Sequence, residues 1–183
     1  MPDEMIIRHC SPTLAGIKTG NAFTCSYSDK KELFSAVRSL NRRLLPKGVR
    51  VIPLRISADR VLLYTYRPDR LENDLAAKEA AEILEQYGYS ADDSGKCIVR
   101  LSKRLKKSDE FPHEIGLFLG YPPEDVRGFI ENRAGGYKFT GYWKVYGDEE
   151  SAKKKFERYK RCTDIYCSQW AEGKSIERLT VAV

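Results

Sequence analysis

Apolar residues recur at helical spacing in three stretches of the chain. Leu71, Leu75, Ala80, Ile83, Leu84 and Tyr87 fall near one face of a helix that starts after Pro68 and stops at Gly88. A second helix is predicted from about Asp92 to Lys107, with Cys97, Ile98, Leu101 and Leu105 turned inward. Its other side is basic, carrying Lys96, Arg100, Lys103, Arg104 and Lys107. In the third, Asp148 to Trp170, steps of three and four place Phe156, Tyr159, Thr163, Tyr166 and Trp170 in a narrow stripe suited to core packing. Lys153, Lys154, Lys155, Arg158, Lys160 and Arg161 form its opposite face, which reads first as a solvated surface and second, with the basic helix near residue 100, as an anion-binding surface.

Elsewhere the pattern is that of strands. VRVIPLRIS and RVLLYTYR are rich in β-branched and aromatic residues and flank Ala58-Asp59, the signature of a hairpin. Pro53 cannot donate to a ladder, so its strand belongs at an edge or carries a bulge. Around this pair the reading is a short helix from Met5 to Cys10 ended by Ser11-Pro12, a strand from about Leu14 to Cys25, and a helix from Asp29 to Leu45. Two short helices after Phe111, a strand from Phe139 to Tyr146 and an extended terminal IERLTVAV complete the order. The predicted fold class is α+β: a single domain with a small mixed or antiparallel sheet of about four strands and helices packed on it.

Composition narrows the class. With 183 residues, 42% hydrophobic and 32% charged, the chain suits one globular domain and no disordered or fibrous class. No repeat or linker divides it. The first residues lack a basic segment followed by an apolar run, and no stretch approaches the length of a membrane span, so a cytoplasmic location is expected. Cys10, Cys25, Cys97, Cys162 and Cys167 are odd in number and without framework spacing, which fits reduced thiols. A net charge of +6 permits an anionic partner such as a nucleic acid, a nucleotide or an acidic protein.

The candidate chemistry is sparse. EIGLFLGYPPEDVRGFI has helix-turn-helix spacing, but the second helix would begin with Pro123, Glu124 and Asp125, and carboxylates there repel a duplex. The same residues suit a structural helix start, so a capped corner is the preferred reading. Gly95-Lys96 is a near miss to a phosphate loop, with Ser90 and Cys97 at positions needing Gly and Ser or Thr; Asp93 or Ser94 capping the basic helix is plainer. No paired-cysteine string announces zinc or an iron–sulfur cluster, leaving Cys10, Cys25 and Cys162 as weak metal candidates and no metal expected. Only His9 and His113 are available for imidazole chemistry, and no motif nominates a reaction, a catalytic residue or a cofactor.

The strings HCSPTLAGIKTGNAF, FPHEIGLFLGYPPEDVRGFIENR, GYWKVYGD, FERYKRCT and SIERLTVA together resemble the bacterial family catalogued as domain of unknown function 3793. The resemblance covers essentially the whole chain. It implies a stand-alone bacterial cytosolic protein with no assigned activity, adds a lean toward a redox or metal role, and carries over no catalytic residue. The segments that bear it focus attention on His9, Cys10, Lys18, His113, Glu114 and Arg127 as candidate ligand-binding residues, with a cleft expected where they meet. Three function classes follow: a small-ligand or anion-binding regulatory domain, a thiol- or metal-linked redox accessory protein, and a basic nucleic-acid-binding module.

Overall fold

The computed structural model describes residues 3–107 and 111–182. In chain order the elements are α1 (Asp3–Leu14), β1 (Gly20–Ser26), α2 (Lys30–Leu44) with a 3-10 turn (Leu45–Lys47), β2 (Arg50–Ile56), β3 (Arg60–Tyr66), α3 (Pro68–Ala76), α4 (Lys78–Gln86) and α5 (Ser94–Lys107). There follow α6 (Ile115–Phe118), α7 (Pro123–Glu131), β4 (Phe139–Thr140), β5 (Lys144–Val145), α8 (Glu149–Ala171) and α9 (Ile176–Leu179). The fold class is α+β, as expected, but the strands form two sheets: three antiparallel strands in the order β1-β3-β2, and the β4-β5 ribbon. The chain divides into two compact units, Met1–Asp69 with Arg161–Val183, and Arg70–Lys160. Among the described residues, no helix is long and apolar enough to cross a membrane.

In the first unit the expected hairpin is β2-β3, and β3 is the central strand. Pro53 sits on edge strand β2, where the register shifts between Pro53 and Arg55, so the proline occupies both an edge and an irregularity. Asn41 of α2 closes that edge: its amide donates to Val51 O at 2.7 Å and its oxygen accepts from Val51 N at 2.8 Å. Asp29 caps α2, and Leu33, Val37, Leu40 and Leu44 form its buried stripe. They meet Val61 and Leu63 of β3 and Ile6, Ile7, Cys10 and Leu14 of α1 in one core. Each such aliphatic side chain contributes roughly 1.5–3 kcal/mol by leaving water.

The structure departs from the sequence reading at both ends of this unit. The first helix does not stop at Ser11-Pro12 but runs to Leu14 with Pro12 inside it. An interior proline costs about 3 kcal/mol, and here the continuing turn buries Thr13 and Leu14, which works against that cost. The first strand accordingly begins at Gly20 rather than Leu14, after a turn through Gly16 at φ 73°. The terminal IERLTVAV is not extended throughout: Ile176–Leu179 is a helical turn whose Ile176 and Leu179 join the core.

The second unit is helical apart from its ribbon. The single helix expected after Pro68 is two, α3 and α4, parted at Ala77, whose ψ of 134° leaves the helical region. Asp93 caps α5 through Lys96 N at 2.9 Å, and Cys97, Leu101 and Leu105 are its buried face. The strand expected over Phe139–Tyr146 reduces to two residues on each side of a turn. Gly116 of α6 lets α7 approach closely, since a Cβ there would meet Val126 at 2.8 Å and Tyr121 at 2.9 Å. Gly120, at φ 74°, makes the turn between the two helices.

Candidate functional site

Arg100, Lys103, Arg104 and Lys107 stand at i, i+3, i+4 and i+7 on α5, so one helical stripe carries four cations. Opposite them lies the segment Pro112–Glu114, and together with Tyr87 and Phe111 they enclose a concavity of about 470 Å³. Glu114 builds it. Its carboxylate is buried, and Oε1 accepts from Arg104 Nε at 2.6 Å and from the Tyr89 hydroxyl at 2.7 Å. Burial, then the Glu114 hydrogen bond and charge, raise the Tyr89 pKa well above its ordinary value, so the phenol stays a donor. Arg104 also lies 4.9 Å from the Tyr87 ring centroid, while Arg100 donates to Tyr87 O at 2.8 Å and covers the Tyr89 ring. The guanidinium groups are thereby oriented by the protein before any ligand arrives. Four cations against one carboxylate give the concavity a positive potential suited to phosphate-like anions.

A second concavity, of about 360 Å³, shares Phe111 and His113 with the first. Its walls are aromatic: Tyr121, Phe129, Tyr142 and Trp143, with Lys144 at one side. His113 is exposed and meets Phe129 edge-on at 4.9 Å. Tyr121 stacks on Trp143 at 4.6 Å, and the Trp143 indole N–H donates to Asp125 Oδ2 at 2.7 Å. Asp125 was expected to serve only its own helix start. It also accepts from Tyr146 N and Gly147 N, both at 2.8 Å on Oδ1, and so fixes the ribbon that carries Trp143.

The other sequence candidates lie elsewhere. Arg127 pairs with Glu82 at 3.2 Å on the surface of the second unit and lines neither concavity. His9, Cys10 and Lys18 belong to the first unit, and His113, Glu114 and Arg127 to the second. His9 is exposed and stacks on Phe23 at 4.7 Å; partial burial, then the neighbouring Arg8 charge, lower its pKa. Cys25 lies half-buried in a shallow depression with Tyr27 and Asp29, and Cys162 is half-buried on α8. Among the described residues, no three His, Cys, Asp or Glu side chains are grouped to hold a metal ion.

Cys10 and Lys18 do come together, inside the first core. Burial pushes the Cys10 thiol up to about 12, with the Thr65 hydroxyl and Lys18 pulling the other way. Burial lowers Lys18 to about 7, partly opposed by Cys10, while its ammonium donates to Gly20 O. The unfolded chain thus holds a proton on Lys18 between about pH 7 and 10.5 that the folded chain has released, so stability rises with pH across that window. Above pH 9 the unfolded Cys10 ionises while the folded thiol does not, which opposes the rise. The unopposed window is pH 7 to 9, where stability is expected to increase by roughly 2 kcal/mol. Urea unfolding at pH 7, 8 and 9 should show this slope in the natural protein and not in Lys18→Met; an equal slope in both would exclude Lys18 as its source.

A family model described as "Protein of unknown function (DUF3793)" matches residues 6–180. The chain belongs to the DUF3793 family. No curated protein and no solved structure matches it. In this DUF3793 protein, then, the sequence reading named His113 and Glu114 and placed the α5 cations on a basic side, but it missed Phe111 as a shared wall and Asp125 as an anchor.

Proposed function

We propose that the second unit binds a small anionic ligand in the concavity between α5 and Pro112–Glu114. The observation that carries this reading is the i, i+3, i+4, i+7 stripe of cations facing an ordered wall, with both arginines held in place by Tyr87, Tyr89 and Glu114. A solvated basic face has no such wall; here the long side chains lose less entropy on binding because protein contacts already position them. The thiol reading has weaker support, since the enclosed Cys10 remains protonated at neutral pH.

Calorimetric titration with inorganic pyrophosphate tests the proposal. Binding is expected, weakening with added salt, because the attraction is largely electrostatic. The paired change Lys103→Glu and Lys107→Glu alters two exposed side chains, leaves the buried face of α5 intact, and is expected to reduce affinity at least tenfold. Absence of binding to the natural protein, or equal affinity in the double variant, would overturn the reading.

A further inference from the structure

The two concavities share Phe111 and His113 and therefore adjoin at a common rim. Their chemistry differs sharply. One presents four cations; the other presents Tyr121, Tyr142 and Trp143 with Lys144, and its floor is held by the Asp125 hydrogen bond to the indole. Phe111 and Tyr142 are 45% and 47% exposed, a large apolar area for aromatic side chains that line a cavity. A simple inorganic anion would leave this second cavity empty of any complementary group. A multiply charged group attached to a flat aromatic ring complements both.

We infer that the ligand is a nucleotide, with its phosphates against α5 and its base in the aromatic cavity beside Phe111. This rests on the anion-binding reading of the α5 concavity and names the class of ligand it takes. Multiple phosphate charges suit a stripe of four cations better than a single carboxylate does, and base-on-aromatic stacking tolerates any base because each has a π-face.

The test titrates three probes: adenosine diphosphate, which carries both parts, inorganic pyrophosphate, which carries only the charge, and adenosine, which carries only the ring. The nucleotide is expected to bind roughly tenfold or more tighter than pyrophosphate, the increment a stacked base supplies. In a Trp170→Phe background, which leaves Trp143 as the emitting indole, the nucleotide should quench fluorescence and pyrophosphate should not. Tyr142→Ala, a change at an exposed side chain that lines the aromatic cavity and not the α5 concavity, should remove the nucleotide's advantage while pyrophosphate affinity stays unchanged. If pyrophosphate binds and the nucleotide is no tighter, or Tyr142→Ala leaves its advantage intact, the nucleotide inference falls while anion binding stands. If neither binds, both fall.

Discussion

Replacing Arg67 with methionine is expected to lower the stability of the first unit by about 3–5 kcal/mol. The guanidinium is almost fully buried and donates to backbone carbonyls. Nε donates to Thr13 O at 2.7 Å, Nη2 to Leu14 O at 2.7 Å and Val181 O at 2.8 Å, and Nη1 to Lys47 O at 3.2 Å. Thr13 and Leu14 are in the last turn of α1, where the helix dipole is negative, and their carbonyls accept from Arg67 besides Gly16 N and Val181 N. One cation therefore ties together the end of the proline-containing helix, the turn after α2 and the C-terminal segment. Methionine fills a similar volume but leaves four carbonyls without this donor. Lysine keeps the charge, yet a single ammonium cannot span acceptors arranged for a fork, and about half the loss should remain.

Urea unfolding measures the total. Amide exchange at Val181, whose N–H donates to Leu14 O at 3.0 Å, reports the local consequence. It should accelerate in Arg67→Met before the rest of the unit does. A variant within about 1 kcal/mol of the natural protein would show that the carbonyls find other donors and that Arg67 is not the clasp.

Local rules were enough for the elements whose cause is local. Asp29 and its apolar stripe mark α2, Pro53 marks the irregular edge strand, and Asp93 with Cys97, Leu101 and Leu105 marks α5. What escaped depends on partners distant in sequence. Nothing near Pro12 says that the helix continues, because the compensation comes from a core built with β3 and α9. Nothing near residue 100 distinguishes a solvated basic face from one wall of a concavity; that follows from Glu114 reaching back to Arg104 and Tyr89. His113 could be named as one of two histidines, but its place at a shared rim emerges only once Phe111 and Pro112 are seen to line the same concavity as α5. The aromatic strand after Phe139 is legible as apolar sequence, yet its shortness is set by Asp125, which takes the Tyr146 and Gly147 amides that a longer ladder would have used.

Asp125 is accordingly the second position where one substitution should have a large effect. Asp125→Ala is expected to destabilise the second unit by about 3 kcal/mol, since it strips the acceptor from the Trp143 indole and from two backbone amides at once. Asp125→Asn separates the parts: its oxygen can still accept from Tyr146 N and Gly147 N, but its amide then faces the indole donor with another donor. A loss of about 1–2 kcal/mol is expected there, concentrated at Trp143. The indole N–H resonance of Trp143 should move upfield in both variants as its hydrogen bond is lost, while that of Trp170, in the first unit, stays in place. Because Trp143 is a wall of the aromatic cavity, either change should also weaken nucleotide binding more than pyrophosphate binding. An alanine variant with unchanged unfolding and an unmoved Trp143 resonance would mean that the ribbon is held by its aromatic packing on Phe156 and Tyr121 alone, with the carboxylate a bystander.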